Sequence, residues 1–175
     1  SLPRMLYGKV LRSKYPHAKI KRIDTSRARA LLGVKVVITG DDLPDGRHGP
    51  FIKDTPILAK GQVNYVGEPI AAVAAVDEET AKAALSLIEV EFEQLPPVLD
   101  PIAAMRDESP LVHENPLGYA AVFPARRWGN VCSHTTFRLG DVERGFREAH
   151  HIFEDSYTTQ EVHQAYLEPH GAVAS

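Results

Sequence analysis

Apolar residues fall on alternating positions twice near the start of the chain, first at Leu6 and Val10, then at Ala18 and Ile20. A period of two marks a half-buried strand, and Tyr15-Pro16 breaks the run, so two strands are expected over MLYGKVLRS and HAKIKRI. Asp24, Thr25 and Ser26 offer N-caps for a short helix RARALL, and Gly33 stands where a C′ glycine would end it. VKVVIT, residues 34–39, reads as a buried strand. QVNYVGEPIAAVAAV pairs two strand-like runs around Gly67-Glu68-Pro69, and IAAVAAV, apolar on both faces, reads as a central strand. Asp77 caps a helix EETAKAALSLI, in which Ala81, Ala84, Leu85 and Ile88 recur at helical spacing and the first turn is acidic, as the helix dipole favours. IEVEFEQL then alternates strictly, with Ile88, Val90 and Phe92 set against Glu89, Glu91 and Glu93.

Two stretches lack a period. Residues 40–57, GDDLPDGRHGPFIKDTPI, hold three glycines and three prolines and read as a long loop. Loops of that length are functional or disordered. Phe51 and Ile52 stand in its middle, either as an anchor into the core or with a task of their own. Residues 95–130 hold six prolines and one short helical possibility, PIAAM, and read as a linker or wrapping arm. Beyond it, HTTFRLG, DVERGFREA and HHIFEDSYTTQEV give strand, helix and strand, the helix capped by Asp141 with Val142, Phe146 and Ala149 facing inward. The class is α+β, mixed strands with two or three short helices.

Composition narrows the function classes. A hydrophobic fraction of 43% with 25% charged residues is that of a globular domain, neither disordered nor membrane-like. The net charge of -3 is spread along the chain with no basic block, which argues against nucleic-acid binding. The one cysteine, Cys132, makes no internal disulfide, no stretch is long and apolar enough for a bilayer, and a cytoplasmic protein is expected.

GxGxxG, GxxxxGK[ST], HExxH, GxSxG and CxxC are all missing, which argues against a self-contained nucleotide-binding or zinc-protease domain. The acids and histidines near the end remain. Glu161-x-His163 and Glu168-x-His170 would each project to one side of an extended segment, so a carboxylate and imidazole metal site is conceivable, against a structural or supporting role. All four converge only through a sharp turn. His150 and His151 are neighbours on a strand and point apart. Cys132 with His134 and His163 offers a thiol nucleophile only if a base is positioned beside it. The row Glu89, Glu91, Glu93 reads as a solvated edge.

Several phrases, in order, carry a resemblance over nearly the whole chain: R-S-x-Y-P-H-A-x-I, T-G-x-D-L-P, Y-V-G-E-P-I-A-A-V-A-A, I-E-V-E-F-E-x-L-P-P and A-Y-L-E-P-H. The chain resembles the start of the large subunit of the molybdenum hydroxylases, the family of xanthine dehydrogenase, aldehyde oxidase, carbon monoxide dehydrogenase, nicotinate dehydrogenase and 4-hydroxybenzoyl-CoA reductase. The resemblance implies an α/β-hammerhead domain over residues 1–110, a linker arm over 111–129, and the first elements of the molybdopterin-binding domain over 130–175. It implies a longer enzyme holding a molybdenum-molybdopterin cofactor, with 2Fe-2S and FAD on partner domains or subunits, and no catalytic residue, metal ligand or bound cofactor in this part. It also implies that Phe51 and Ile52 line the channel by which substrate reaches the metal. Two rival expectations are a stand-alone hammerhead binding or assembly module without redox activity, and a metal hydrolase built on His163 and His170.

Overall fold

The computed structural model describes residues 3–168 and 170–174. The chain divides into two units, Ser1–Thr135 and Thr136–Ser175.

The first unit is built on two three-stranded antiparallel sheets. In one, β7 (Pro69–Ala75) lies between β1 (Tyr7–Arg12) and β3 (Val34–Thr39). Its central place suits a strand apolar on both faces, and Ile70, Ala71, Val73 and Ala75 are all at most 2% exposed. In the other, β2 (Ala18–Asp24) lies between the two-residue β6 (Gln62–Val63) and β8 (Glu89–Gln94). The alternation along β8 turns Val90 and Phe92 inward and leaves its glutamates wet. The register sets Glu93 opposite Lys19 and Glu91 opposite Arg22, so the carboxylate row meets a cationic strand across the ladder. Glu93 also pairs with Lys21 at 3.0 Å, and Glu89 with Arg27 at 3.0 Å.

Helix α1 (Ser26–Ala30) and helix α2 (Glu78–Ser86) cover the first sheet. Small side chains set the packing: Ala28, Ala84 and Ala71 cluster with Val37, Val73 and Ile88. A second cluster joins Ala18, Ala59, Val63 and Ile70, with Tyr15 packed edge-on to Phe92 at 5.1 Å. Ile23 and Val90 touch both clusters and tie the sheets together. Burying side chains the size of Ile70, Val37 and Val73 contributes about 1.5–3 kcal/mol each.

Both expected helix starts in this unit are present, with one adjustment. The Asp77 carboxylate accepts from the Thr80 amide at 2.7 Å. At α1 the cap position falls on Thr25, and the Asp24 carboxylate takes the Ser26 amide and hydroxyl instead. Helix α1 stops at Ala30 rather than Leu32 because its cap, Leu31, is extended, so Gly33 is not the residue that ends it. At φ +94° Gly33 turns the chain after the helix, where the Val34 amide donates to the Leu31 carbonyl at 3.1 Å. Helix α2 stops at Ser86 rather than Ile88, because the Leu87 and Ile88 amides bond three residues back and tighten the last turn.

The long loop is more ordered than its composition implies. It opens with a 3-10 turn at Gly40–Asp42 and contains a short antiparallel pair, β4 (Arg47–His48) with β5 (Thr55–Pro56). The Pro-rich stretch carries α3 (Pro101–Ala104), capped by Asp100, and then β9 (Arg126–Trp128) paired with β10 (Val131–His134).

In the second unit the helix α4 (Val142–Glu148) forms, and the Asp141 carboxylate caps it through the Arg144 amide at 2.9 Å. Three expectations fail there. HTTFRLG yields no strand beyond His134, HHIFEDSYTTQEV forms none, and Val142 and Phe146 are 59% and 56% exposed rather than inward-facing. A strand needs a partner ladder and an apolar helix face needs a surface to cover it. The described residues from 136 onward supply neither to one another.

Candidate functional site

The loop carrying Phe51 and Ile52 is held by backbone, not by burial of its rings. Ile52 forms a β-bridge with Ala121 in the Pro-rich arm. The Lys53 amide donates to the Ala120 carbonyl at 2.8 Å, and the Val122 amide donates to the Phe51 carbonyl at 2.8 Å. Gly49, at φ +150°, lies at the loop's base, where a Cβ would overlap the Ile52 carbonyl. Only glycine fits there.

Neighbours in an extended segment point to opposite sides, and the two apolar residues part company accordingly. Phe51 is 65% exposed and belongs to neither core cluster, so it is no core anchor. Its ring lies 6.3 Å from that of Phe123, itself 62% exposed. Ile52 is half-buried and lines a cavity of about 230 Å³ together with Asp54, His113, Tyr119, Arg127 and Cys132.

Polar groups in that cavity brace one another. The Arg127 guanidinium donates twice to the Tyr119 carbonyl at 3.2 Å, while Tyr119 packs edge-on to His113 at 5.3 Å and lies under the Arg47 guanidinium at 4.9 Å. Burial holds His113 below the ordinary imidazole range. Asp54, whose carboxylate lies 3.8 Å away, opposes that shift and Arg47 adds to it. On the neighbouring wall Glu68 is 2% exposed, and its carboxylate accepts from the Asn64 amide. Burial pushes Glu68 above the ordinary carboxylate range, with the Asn64 and Tyr65 amides and Arg47 pulling the other way.

No periodicity marks Phe123, His113 or Glu68 in the sequence. For Glu68 the one signal is an acid wedged between Gly67 and Pro69 at the junction of two apolar runs.

The candidates near the end do not assemble into a site. His163 Nδ1 accepts from the Ala165 amide at 3.0 Å, and His170 Nε2 lies 2.6 Å from the Tyr166 hydroxyl. Glu161, Glu168, His150 and His151 are exposed. Among the described residues no three His, Cys, Asp or Glu side chains lie close enough together to share a metal ion. Cys132 is exposed, and His134 packs on Trp128 at 5.6 Å, so neither residue presents an assembled thiol and base pair.

Comparison with known proteins decides the family. Residues 1–96 match the family model described as the aldehyde oxidase and xanthine dehydrogenase a/b hammerhead domain, and residues 124–175 match the molybdopterin cofactor-binding domain. The chain belongs to the aldehyde oxidase and xanthine dehydrogenase family. A probable xanthine dehydrogenase component of Bacillus subtilis is 42% identical over 175 residues, which cover 99% of this chain and 22% of that relative. Among solved structures, carbon monoxide dehydrogenase from Oligotropha carboxidovorans is similar at TM-score 0.60 and 40% identity, over 63% of this chain and 14% of that one. Aldehyde oxidoreductase from Desulfovibrio gigas is similar at TM-score 0.59 and 33% identity, over 65% and 14%. The hammerhead fold expected from the sequence is therefore present, and the chain spans less than two fifths of the length of the first relatives it matches. No helix among the described residues is long and apolar enough to cross a membrane.

The family's pterin cofactor is a test of the second unit. Every described residue of Thr136–Ser175 is exposed. An enclosed, donor-lined cradle of the kind that holds a cofactor is not formed by these residues, so they do not fit the group by themselves.

Proposed function

We propose that this chain supplies the hammerhead domain and the opening of the molybdopterin-binding domain to a molybdenum-dependent oxidoreductase, and that Phe51 walls the path of its substrate. The observation that carries the family reading is the match of both domains, in family order, along one chain. The reaction class is hydroxylation of an aldehyde or aromatic heterocycle, or the reverse reduction of an aryl-CoA. In the assembled enzyme the molybdenum cofactor would supply the redox chemistry, with 2Fe-2S and FAD on partner domains or subunits. We place the assembly in the cytoplasm, since Cys132 is the chain's one cysteine.

Within that enzyme this chain's residues exclude water and orient. An exposed phenyl ring on a braced loop strips water from a flat apolar substrate and limits the angles at which it advances. Phe51 has that form. Ile52 supports it from the cavity side, filling the space beneath the bridge. In the native enzyme, Phe51→Ala is expected to raise KM for an aromatic substrate by roughly an order of magnitude, with kcat changed less. Ile52→Ala is expected to have the smaller effect on KM. Unchanged kinetics in Phe51→Ala for every substrate turned over would refute the channel role.

A further inference from the structure

We infer that Phe123 is a second specificity-determining residue, forming one aromatic wall with Phe51. The inference rests on the channel reading of Phe51 and extends it to a part of the chain 72 residues away in sequence that the bridge brings alongside.

Three observations lead to it. The two rings lie 6.3 Å apart with their planes tilted by 39°, within the range of aromatic pairing but open as a wedge rather than closed as a stack. Both rings are more than half exposed, so neither is held for the sake of the core. The contacts that bring the segments together are main-chain bonds, Lys53 amide to Ala120 carbonyl and Val122 amide to Phe51 carbonyl. The Phe123 ring is therefore not needed to make the bridge. Two large apolar side chains kept in water beside each other are costly unless something apolar comes to lie against them. A flat ring sliding past the wedge would meet both faces, whereas a two-carbon aldehyde would touch at most one.

The test is steady-state kinetics of the native enzyme on a graded panel, acetaldehyde, benzaldehyde and quinoline, for wild type, Phe51→Ala, Phe123→Ala, Phe123→Leu and the double alanine variant. Phe123→Ala is expected to lower kcat/KM roughly tenfold for the aromatic members, mainly through KM, and to leave acetaldehyde within about twofold. The double variant should lose less than the product of the two single losses, because each ring acts through the other. Phe123→Leu should recover part of the loss.

If Phe51→Ala shifts aromatic substrates while Phe123→Ala does not, the inference falls and the Phe51 reading stands. If neither variant shifts any substrate, the underlying reading falls and takes this one with it. An equal loss on acetaldehyde and aromatics, accompanied by loss of molybdenum, would assign Phe123 a structural role and overturn the inference.

Discussion

Glu68 closes the turn that its neighbours open. Gly67, at φ +93°, bends the chain between the two apolar runs, and its amide donates to the Ser13 carbonyl while the Ser13 amide donates to the Glu68 carbonyl. The Glu68 side chain then folds back onto the Asn64 amide. Because burial raises its pKa, the folded chain holds the Glu68 proton more tightly than the unfolded chain does. That contribution to stability is complete below the unfolded pKa and is lost as pH rises through the folded value. The stability of wild type relative to Glu68→Gln is therefore expected to fall as pH rises from about 4 toward neutrality, read from paired thermal unfolding curves. A difference that stays flat or grows across that window would contradict the burial argument. None of this could be read beforehand: a glutamate before a proline looks like any turn residue until the chain's distant Ser13 segment packs over it.

Elements whose patterns repeat over a full strand or helix were legible. β7 reads as central because it is apolar on both faces, and α2 reads from Asp77 through its spaced alanines, since those signals depend only on local period and capping. The bridge between the Phe51 loop and the 120–122 arm was not legible, because so short a pairing carries no period. The strand expected at 150–162 failed for a related reason, its pattern being right for a ladder that the described residues do not contain. Gly49 gives the bridge a test of its own. Gly49→Ala puts a Cβ against the Ile52 carbonyl at a backbone angle alanine avoids, and should destabilise the protein by about 1–3 kcal/mol. Urea midpoints measure this, and faster proteolysis within residues 49–54 should accompany it. An unchanged midpoint and cleavage pattern would show that the loop is not built on this contact.

Across the whole molecule the hammerhead region carries the buried core, while the described residues of Thr136–Ser175 present one capped helix and extended, exposed chain. The family resemblance was legible because it rests on separate phrases in order, and both family models match along the chain. Spacing could not show that Phe51 and Ile52 turn to different surroundings, since adjacency in sequence says nothing of what covers each face. The most direct measurement is the molybdenum and pterin content of the native protein purified through a tag on this chain, assayed together with its oxidation of aldehydes and N-heteroaromatic rings. Stoichiometric molybdenum and pterin with turnover is the predicted result; a stable, folded native protein holding neither and oxidising nothing would contradict the account.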